Sequence, residues 1–229
     1  MLTTWKSWDA DKRAIMAARA LNLIALVALL GVLTGSLRLQ FVVGEQPCPL
    51  CLVQRAGMIG LALGPVLNLL WGIKPINYAL SILAAFVGGA GSVRQDLLHL
   101  ADPADPGYGP QVLSFHLYTW ALITFAIAVV GCAFLLMWTR TFTAKDRGLM
   151  AERGPLRAVT LAVITWFSIY VVVITVSVIP ECGIGMCPDD PANTSGMASG
   201  LALVILLVIL VVSGLVGFVL NRRLPEVTS

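Results

Sequence analysis

The residues best suited to chemistry in this chain are four cysteines in two close pairs, Cys48 with Cys51 and Cys182 with Cys187. A Cys-x-x-Cys spacing is typical of exchangeable disulfides with thiols of lowered pKa. Cys51 falls at the expected start of a long apolar helix, where the partial positive charge of the helix N-terminus favours a thiolate. The sequence therefore predicts a redox centre at Cys48 and Cys51.

Arg55 follows Cys51 by four residues, so a helix would place it one turn further along the same face. An arginine near a membrane boundary is costly unless it is solvated, paired or able to reach the lipid headgroups. Two interpretations stay open. Arg55 either extends towards the headgroups or acts as a fixed cation beside a reactive thiolate and an electron-accepting ligand.

The other cysteines have simpler interpretations. Cys182 and Cys187 lie in one short Gly-containing loop and are compatible with a plain structural disulfide. A zinc site built from all four thiolates is disfavoured, because the second Cys-x-x-Cys of a zinc ribbon is absent. Cys132 stands alone in an apolar stretch, and we expect it to be a small, buried apolar residue.

Composition indicates a membrane protein. Of 229 residues, 58% are hydrophobic and 12% are charged, and the mean hydropathy is +0.89, whereas soluble domains carry about 25% charged residues. The net charge of +3 is too small to indicate nucleic-acid binding. The predicted fold class is all-α, a polytopic membrane helix bundle. Six apolar stretches are long enough to cross a bilayer: 18–37, 52–72, 77–95, 112–138, 158–179 and 198–220.

Charge distribution predicts the orientation, because lysine and arginine concentrate in cytoplasmic loops. With a cytoplasmic N-terminus, most of the 15 basic residues lie inside, and six spans return the C-terminus to the inside. The first span is expected to be an uncleaved anchor. Three basic residues fall on the outer side: Arg38, Arg55 and Arg94.

This orientation gives three outward loops, at about 38–51, 96–111 and 180–197. The first and third each hold one cysteine pair, so both pairs are expected on the same, oxidising face. No haem-attachment motif or flavin fingerprint is visible as an electron acceptor. A lipid-soluble quinone between the helices would serve, with its ring near Cys51 and a carbonyl oxygen near Arg55.

The stretch "CPLCLVQR", the short turn before the third span and the long outward loop before "HLYTW" resemble the DsbB family of disulfide bond formation proteins over about residues 20–140. The resemblance implies a four-helix membrane bundle in a bacterial inner membrane. Such a bundle passes electrons from a periplasmic, DsbA-like dithiol oxidase of the thioredoxin fold to ubiquinone or menaquinone. It implies that Cys48 and Cys51 are the quinone-proximal pair, that Cys51 faces the quinone, that Arg55 polarises it, and that His99 lies near it.

The chain departs from that family in two respects. The family carries its partner-facing cysteine pair between helices three and four, but the loop at 96–111 has no cysteine. Instead, two additional membrane helices follow, and their outward loop holds Cys182 and Cys187. We expect a DsbB-like domain at 1–140, a cytoplasmic linker at 141–157 and a two-helix extension at 158–229.

The hypothesis that follows is that Cys182 and Cys187 replace the missing pair as a partner-facing relay. Its rival is that Cys48 and Cys51 oxidise the partner directly while the second pair is static.

Other functional classes are compatible with parts of the pattern. Vitamin K epoxide reductase-type quinone oxidoreductases share the chemistry, but the arginine after the Cys-x-x-Cys motif and "HLYTW" fit the DsbB family better. A thiol reductase that exports reducing power needs paired cysteines within the helices, and only Cys132 is expected there. A membrane scaffold or transporter with structural disulfides is disfavoured, because the spans lack acidic residues.

Overall fold

A computed structural model describes residues 2–101, 111–144, 146–151, 154–182, 187 and 194–225 of the chain. Within them, six helices are long and apolar enough to cross a membrane, which confirms the predicted all-α polytopic bundle. The elements, in chain order, are α1 (Leu2–Arg38), a π-helical turn (Leu39–Val43), α2 (Pro49–Trp71), α3 (Pro75–Ala101), β1 (Gln111–Val112), β2 (Phe115–His116), α4 (Leu117–Met137), α5 (Arg140–Thr143), a 3₁₀ turn (Leu149–Ala151), α6 (Pro155–Cys182) and α7 (Ser199–Arg223).

Glycines allow α2, α3 and α4 to approach one another closely. A Cβ added at Gly57 would lie 2.6 Å from the Cα of Gly88, and one added at Gly88 would collide with the ring of Phe125. Small residues permit such close contact between membrane helices. The glycine-rich stretch of the third span is therefore a packing surface.

A buried polar network ties the helices together at the end of the bundle opposite to Cys48 and Cys51. Asn22 donates to Tyr78 over 2.8 Å, and Asn68 donates to Asn22 over 3.1 Å. Arg19 forms a buried ion pair with Asp146 of the linker, whose carboxylate also accepts from backbone N–H groups. The linker between the fourth and fifth spans is thus packed against the bundle where the structure describes it.

The last two long helices pack on the first four. Phe167, Tyr170 and Ile174 of α6 belong to the same buried apolar cluster as residues of α1, α2, α3 and α4. The hydroxyl groups of Thr34 and Tyr170 lie 2.9 Å apart and join α1 to α6. The sequence left open whether the extension forms a separate bundle, and the structure gives one shared core.

The fourth span begins later than the sequence predicted. Residues 111–116 form a two-stranded antiparallel hairpin in which Gln111 pairs with His116, and α4 starts at Leu117 rather than 112. The turn uses Leu113 and Ser114, both with positive φ, a conformation that sequence patterns associate with glycine or asparagine. Most of the expected outward loop at 96–111 lies outside the described residues.

Candidate active site

Cys48 and Cys51 are joined as a disulfide at the start of α2. Cys48 is the N-cap of the helix, and its sulfur accepts a hydrogen bond from the Cys51 backbone N–H over 3.2 Å. Pro49 occupies the first helical position, where a proline loses no hydrogen bond. The Cys-Pro-x-Cys sequence thus caps the helix and places both sulfurs at its positive end.

The two sulfurs differ in their surroundings. The Cys48 residue is only 5% exposed, whereas Cys51 is half-buried and lines a cleft between the helices. Cys51 is therefore the sulfur that the cleft exposes, and its role in facing a ligand stays a prediction.

Gln95 of α3 is a site residue that the sequence did not reveal. Its side-chain amide lies 3.4 Å from the sulfur of Cys48 and 3.9 Å from that of Cys51. Its carbonyl accepts a 2.9 Å hydrogen bond from Gln54, which fixes the orientation of the amide. Both glutamines are buried. An oriented N–H donor beside a sulfur stabilises the thiolate that forms when the disulfide opens.

Arg55 is buried in the bundle rather than extended to the headgroups. It is 6% exposed, and three hydrogen bonds to α1 and the π-helical turn hold its guanidinium. Its Nε donates to the hydroxyl of Ser36 (2.7 Å), its Nη1 to the side-chain carbonyl of Gln40 (2.6 Å) and its Nη2 to the backbone carbonyl of Ser36 (3.3 Å). The geometry therefore favours the second interpretation of Arg55, a cation fixed inside the protein.

These groups share one cleft of about 440 Å³, within the usual size range of small-molecule sites. Apolar side chains of α1, α2 and α4 form much of its wall, and Tyr118 and Trp120 add two aromatic rings. Cys51, Arg55 and Gln95 line the same cleft. The site thus combines a sulfur, a cation and amide groups with walls suited to a flat apolar molecule.

Glu45 also lines this cleft, at the segment that leads into α2. Burial raises the pKa of its carboxyl above the ordinary value, because removal from water disfavours the charged form. The carboxyl can therefore hold a proton at a pH where an exposed glutamate has lost it. The signal in the sequence was an acidic residue three positions before the cysteine motif, and sequence reasoning passed over it.

His99 lies in the last turn of α3, one side chain away from the cleft. Its ring centroid is 4.8 Å from that of His116 and 6.2 Å from that of Tyr118, and His116 stacks on Tyr118 at 5.0 Å. Of these three rings, Tyr118 is the one that lines the cleft. A role for His99 at a ligand thus stays a prediction, with Tyr118 as the intermediate contact.

Cys182 and Cys187 form the second disulfide, and the residues between them lie outside the described part of the chain. Cys132 is a buried free cysteine in α4, as expected. Among the described residues, no group of three or more His, Cys, Asp or Glu side chains is placed to hold a metal ion.

The segment that follows the Cys182–Cys187 pair is hydrogen-bonded to the segment that precedes the Cys48–Cys51 pair. The backbone N–H of Thr194 donates to the carbonyl of Gly44 over 2.8 Å, and that of Met197 to the carbonyl of Phe41 over 2.7 Å. The side chain of Gln46 donates to the hydroxyl of Thr194 over 2.7 Å. The structure therefore brings the extension and the entry to the Cys-x-x-Cys helix together.

Comparisons with known proteins show that part of the chain is similar to one family. The family model described as "Disulfide bond formation protein DsbB" matches residues 18–107. Proteins named "Disulfide bond formation protein B" are similar to the chain. The one from Verminephrobacter eiseniae is 36% identical over 111 residues, which are 47% of this chain and 59% of that protein. The one from Paracidovorax citrulli is 34% identical over 106 residues, or 45% and 56%. The chain thus spans somewhat over half the length of these two relatives.

A relative from Burkholderia thailandensis, with the same name, is 30% identical in an alignment of 156 positions that covers 52% of this chain and 89% of that protein. No solved structure matches the chain. The matched region contains the cysteine pair at the start of α2, the buried arginine and the part of the cleft wall that precedes residue 108. With six helices able to cross a membrane and similarity over most of the Burkholderia protein, this chain is a multi-pass membrane protein and belongs to the DsbB family.

Proposed function

We propose that this protein is a thiol:quinone oxidoreductase that reoxidises a periplasmic, DsbA-like dithiol oxidase of the thioredoxin fold and passes the electrons to a membrane quinone. The observation that carries the proposal is that Cys51 of the Cys48–Cys51 disulfide, the buried Arg55 and the amide of Gln95 all line one cleft. The names of the relatives, all disulfide bond formation proteins, support the same chemistry.

The residues of the cleft fit a quinone. Tyr118 and Trp120 offer aromatic faces for a flat ring. Arg55 offers a cation for a carbonyl oxygen that gains negative charge, and a positioned cation of this kind stabilises developing charge strongly. A bound quinone, ubiquinone or menaquinone, would supply an acceptor for two electrons and two protons.

The chain's own residues account for the thiol half of the reaction. A thiolate attacks one sulfur of the Cys48–Cys51 disulfide and forms a mixed disulfide, which releases the other sulfur as a thiolate. Attack at Cys48 leaves that thiolate on Cys51, at the cleft and near the amide of Gln95. A second exchange frees the oxidised donor, so that two electrons and two protons have moved from its dithiol to Cys48 and Cys51.

We propose further that Cys182 and Cys187 act as the relay between the partner and the first pair. Cys48 is 5% exposed, so a bulky partner has poor access to the sulfur that must be attacked. Cys187 is seven residues before Thr194, which a fully extended chain covers in at most about 25 Å. Since Thr194 is hydrogen-bonded to Gly44, this short tether keeps the second pair near the first.

The proposal includes the orientation predicted from the distribution of basic residues. The protein lies in a bacterial inner membrane with both termini in the cytoplasm and both cysteine pairs in the periplasm. Residues 1–140 form the quinone-reducing domain, residues 141–157 the linker and residues 158–229 the partner-facing extension.

Trapping a mixed disulfide tests the relay. Each of Cys48, Cys51, Cys182 and Cys187 is replaced singly by serine, and each variant is mixed with a reduced DsbA-like oxidase whose buried active-site cysteine has been removed. We expect a covalent adduct that depends on Cys182 or Cys187. An adduct formed only through Cys48 or Cys51 would show that the first pair oxidises the partner directly.

A further inference from the structure

The extension contacts the chain near the site through the segment 194–197. This segment lies against the chain that leads into α2, with backbone hydrogen bonds to the carbonyls of Phe41 and Gly44. Gly196 sits so close to this chain that an added Cβ would collide with the backbone carbonyl of Val42. The two backbones are therefore in direct contact, and no side chain fits between them.

The segment before α2 that is held in this way also carries a hydrogen-bond acceptor of the buried Arg55. Gln40 lies in the π-helical turn Leu39–Val43, next to Phe41, and is 3% exposed. Its side-chain carbonyl accepts the 2.6 Å hydrogen bond from Arg55. A continuous series of contacts thus runs from the extension, through the π-helical turn, to the guanidinium at the cleft.

We infer that Thr194–Met197 is a brace that positions Arg55 for its acceptor, with Gln40 as the positioning residue that transmits the effect. The inference rests on the proposed role of Arg55 at the cleft. The brace holds the π-helical turn in the conformation in which Gln40 meets Arg55. Without it, the turn samples other conformations, and the fraction of molecules with a correctly placed guanidinium falls. The two additional helices therefore serve the quinone end of the reaction as well as the partner end.

Substitution of two glycines tests the brace. Gly196→Ala forces Thr194–Met197 away from Val42, whereas Gly200→Ala, four residues later, adds a Cβ that meets nothing within 4 Å. Both full-length variants are reconstituted in liposomes and assayed with dithiothreitol as reductant and decylubiquinone as acceptor. Dithiothreitol takes the place of the soluble partner, so that any role of Cys182 and Cys187 in partner exchange does not enter the comparison.

The expected result is a KM for decylubiquinone raised about tenfold in Gly196→Ala with kcat unchanged, since a smaller competent fraction raises the apparent dissociation constant by the same factor. Partial unfolding would instead lower kcat at an unchanged KM. Gln40→Ala should raise KM similarly, and the two changes combined should raise it no further, because both act through the same contact. A KM in Gly196→Ala equal to that of Gly200→Ala would overturn the inference.

Two further measurements cover the cases in which Gly196→Ala does not insert or the wild type reduces no quinone. If Gly196→Ala does not insert, Thr194→Val removes the hydrogen bond from Gln46 and the one that the Thr194 hydroxyl donates to the carbonyl of Gly44. A smaller rise in KM is then expected, and an unchanged KM would count against the brace. If the wild-type protein reduces no quinone, the proposed function fails. The brace is then decided by hydrogen exchange at the Thr194 and Met197 amides, which should be faster in Gly196→Ala than in Gly200→Ala, and equal rates would refute it.

Discussion

Replacing Gln95 with leucine removes the amide that lies 3.4 Å from the Cys48 sulfur and 3.9 Å from the Cys51 sulfur while keeping a side chain of similar volume. Hydrogen bonds to charged groups contribute about 1.5–3 kcal/mol. The long N···S distances place this one near the lower limit, about 1.5 kcal/mol, which corresponds to roughly a tenfold change in an equilibrium. We therefore expect the thiolate to become about tenfold less populated in Gln95→Leu.

The assay is alkylation of the reduced protein by iodoacetamide at neutral pH, since only the thiolate reacts. Gln54→Leu is the matched control, because it breaks the same Gln54–Gln95 hydrogen bond but leaves the amide beside the sulfurs. We expect about tenfold slower alkylation in Gln95→Leu and a much smaller change in Gln54→Leu. Alkylation of Gln95→Leu at the wild-type rate would show that Gln95 does not stabilise the thiolate.

Three further predictions concern the second cysteine pair, the cleft carboxyl and the helix packing. In the double variant Cys182→Ser/Cys187→Ser, quinone reduction driven by the partner should fall to the uncatalysed rate while reduction driven by dithiothreitol persists; full turnover with the partner would refute the relay. Since burial raises the pKa of Glu45, the folded state is favoured most at low pH and loses stability as pH rises through the raised value. The Tm of the wild type should therefore fall relative to that of Glu45→Gln as the pH rises above the ordinary glutamate pKa of about 4, and parallel curves would contradict this. Gly88→Ala forces a Cβ into an aromatic ring of α4 and should lower the free energy of unfolding by about 1–3 kcal/mol. Gly131→Ala, whose Cβ meets nothing within 4 Å, is its control and should change little.

The sequence predicted the membrane helices well because each span is a local property. A run of apolar residues long enough to cross a bilayer is visible without any tertiary contact, and all six predicted spans are helices. The second span was predicted to begin at 52, whereas α2 begins at Pro49, because Cys48 and Pro49 form a local cap. The start of α4 was predicted wrongly, because the turn at Leu113 and Ser114 lacks the residues that usually mark a hairpin.

It was harder to predict which residues form the site, because residues far apart in the sequence meet there. The position of Arg55 on the face of Cys51 follows from helical spacing. Its burial depends on Ser36 and Gln40 of another element. Gln95 approaches the cysteines from α3, across more than 40 residues. Gln95 belongs to three consecutive polar residues, 94–96, near the end of an apolar span. This polar run was the only sign in the sequence that Gln95 could belong to the site.

No sequence pattern indicated the contact between the extension and the loop that precedes Cys48. Thr194 and Met197 bond through their backbone N–H groups, which every residue except proline carries. Side-chain types contribute only the Gln46–Thr194 hydrogen bond and the absence of a Cβ at Gly196, and neither is a recognisable sequence pattern. It follows from the packing of α6 on the shared core, which only the folded chain displays.

The most direct test of the proposed thiol:quinone oxidoreductase activity is quinone reduction by the purified protein in liposomes. It is followed as loss of decylubiquinone with dithiothreitol as reductant. Cys51→Ser removes the sulfur at the cleft, and Cys132→Ser replaces the buried free cysteine of α4 as a control. We predict that the wild type and Cys132→Ser reduce decylubiquinone and that Cys51→Ser is no faster than protein-free liposomes. Reduction by Cys51→Ser at the wild-type rate, or none by the wild type, would contradict the account.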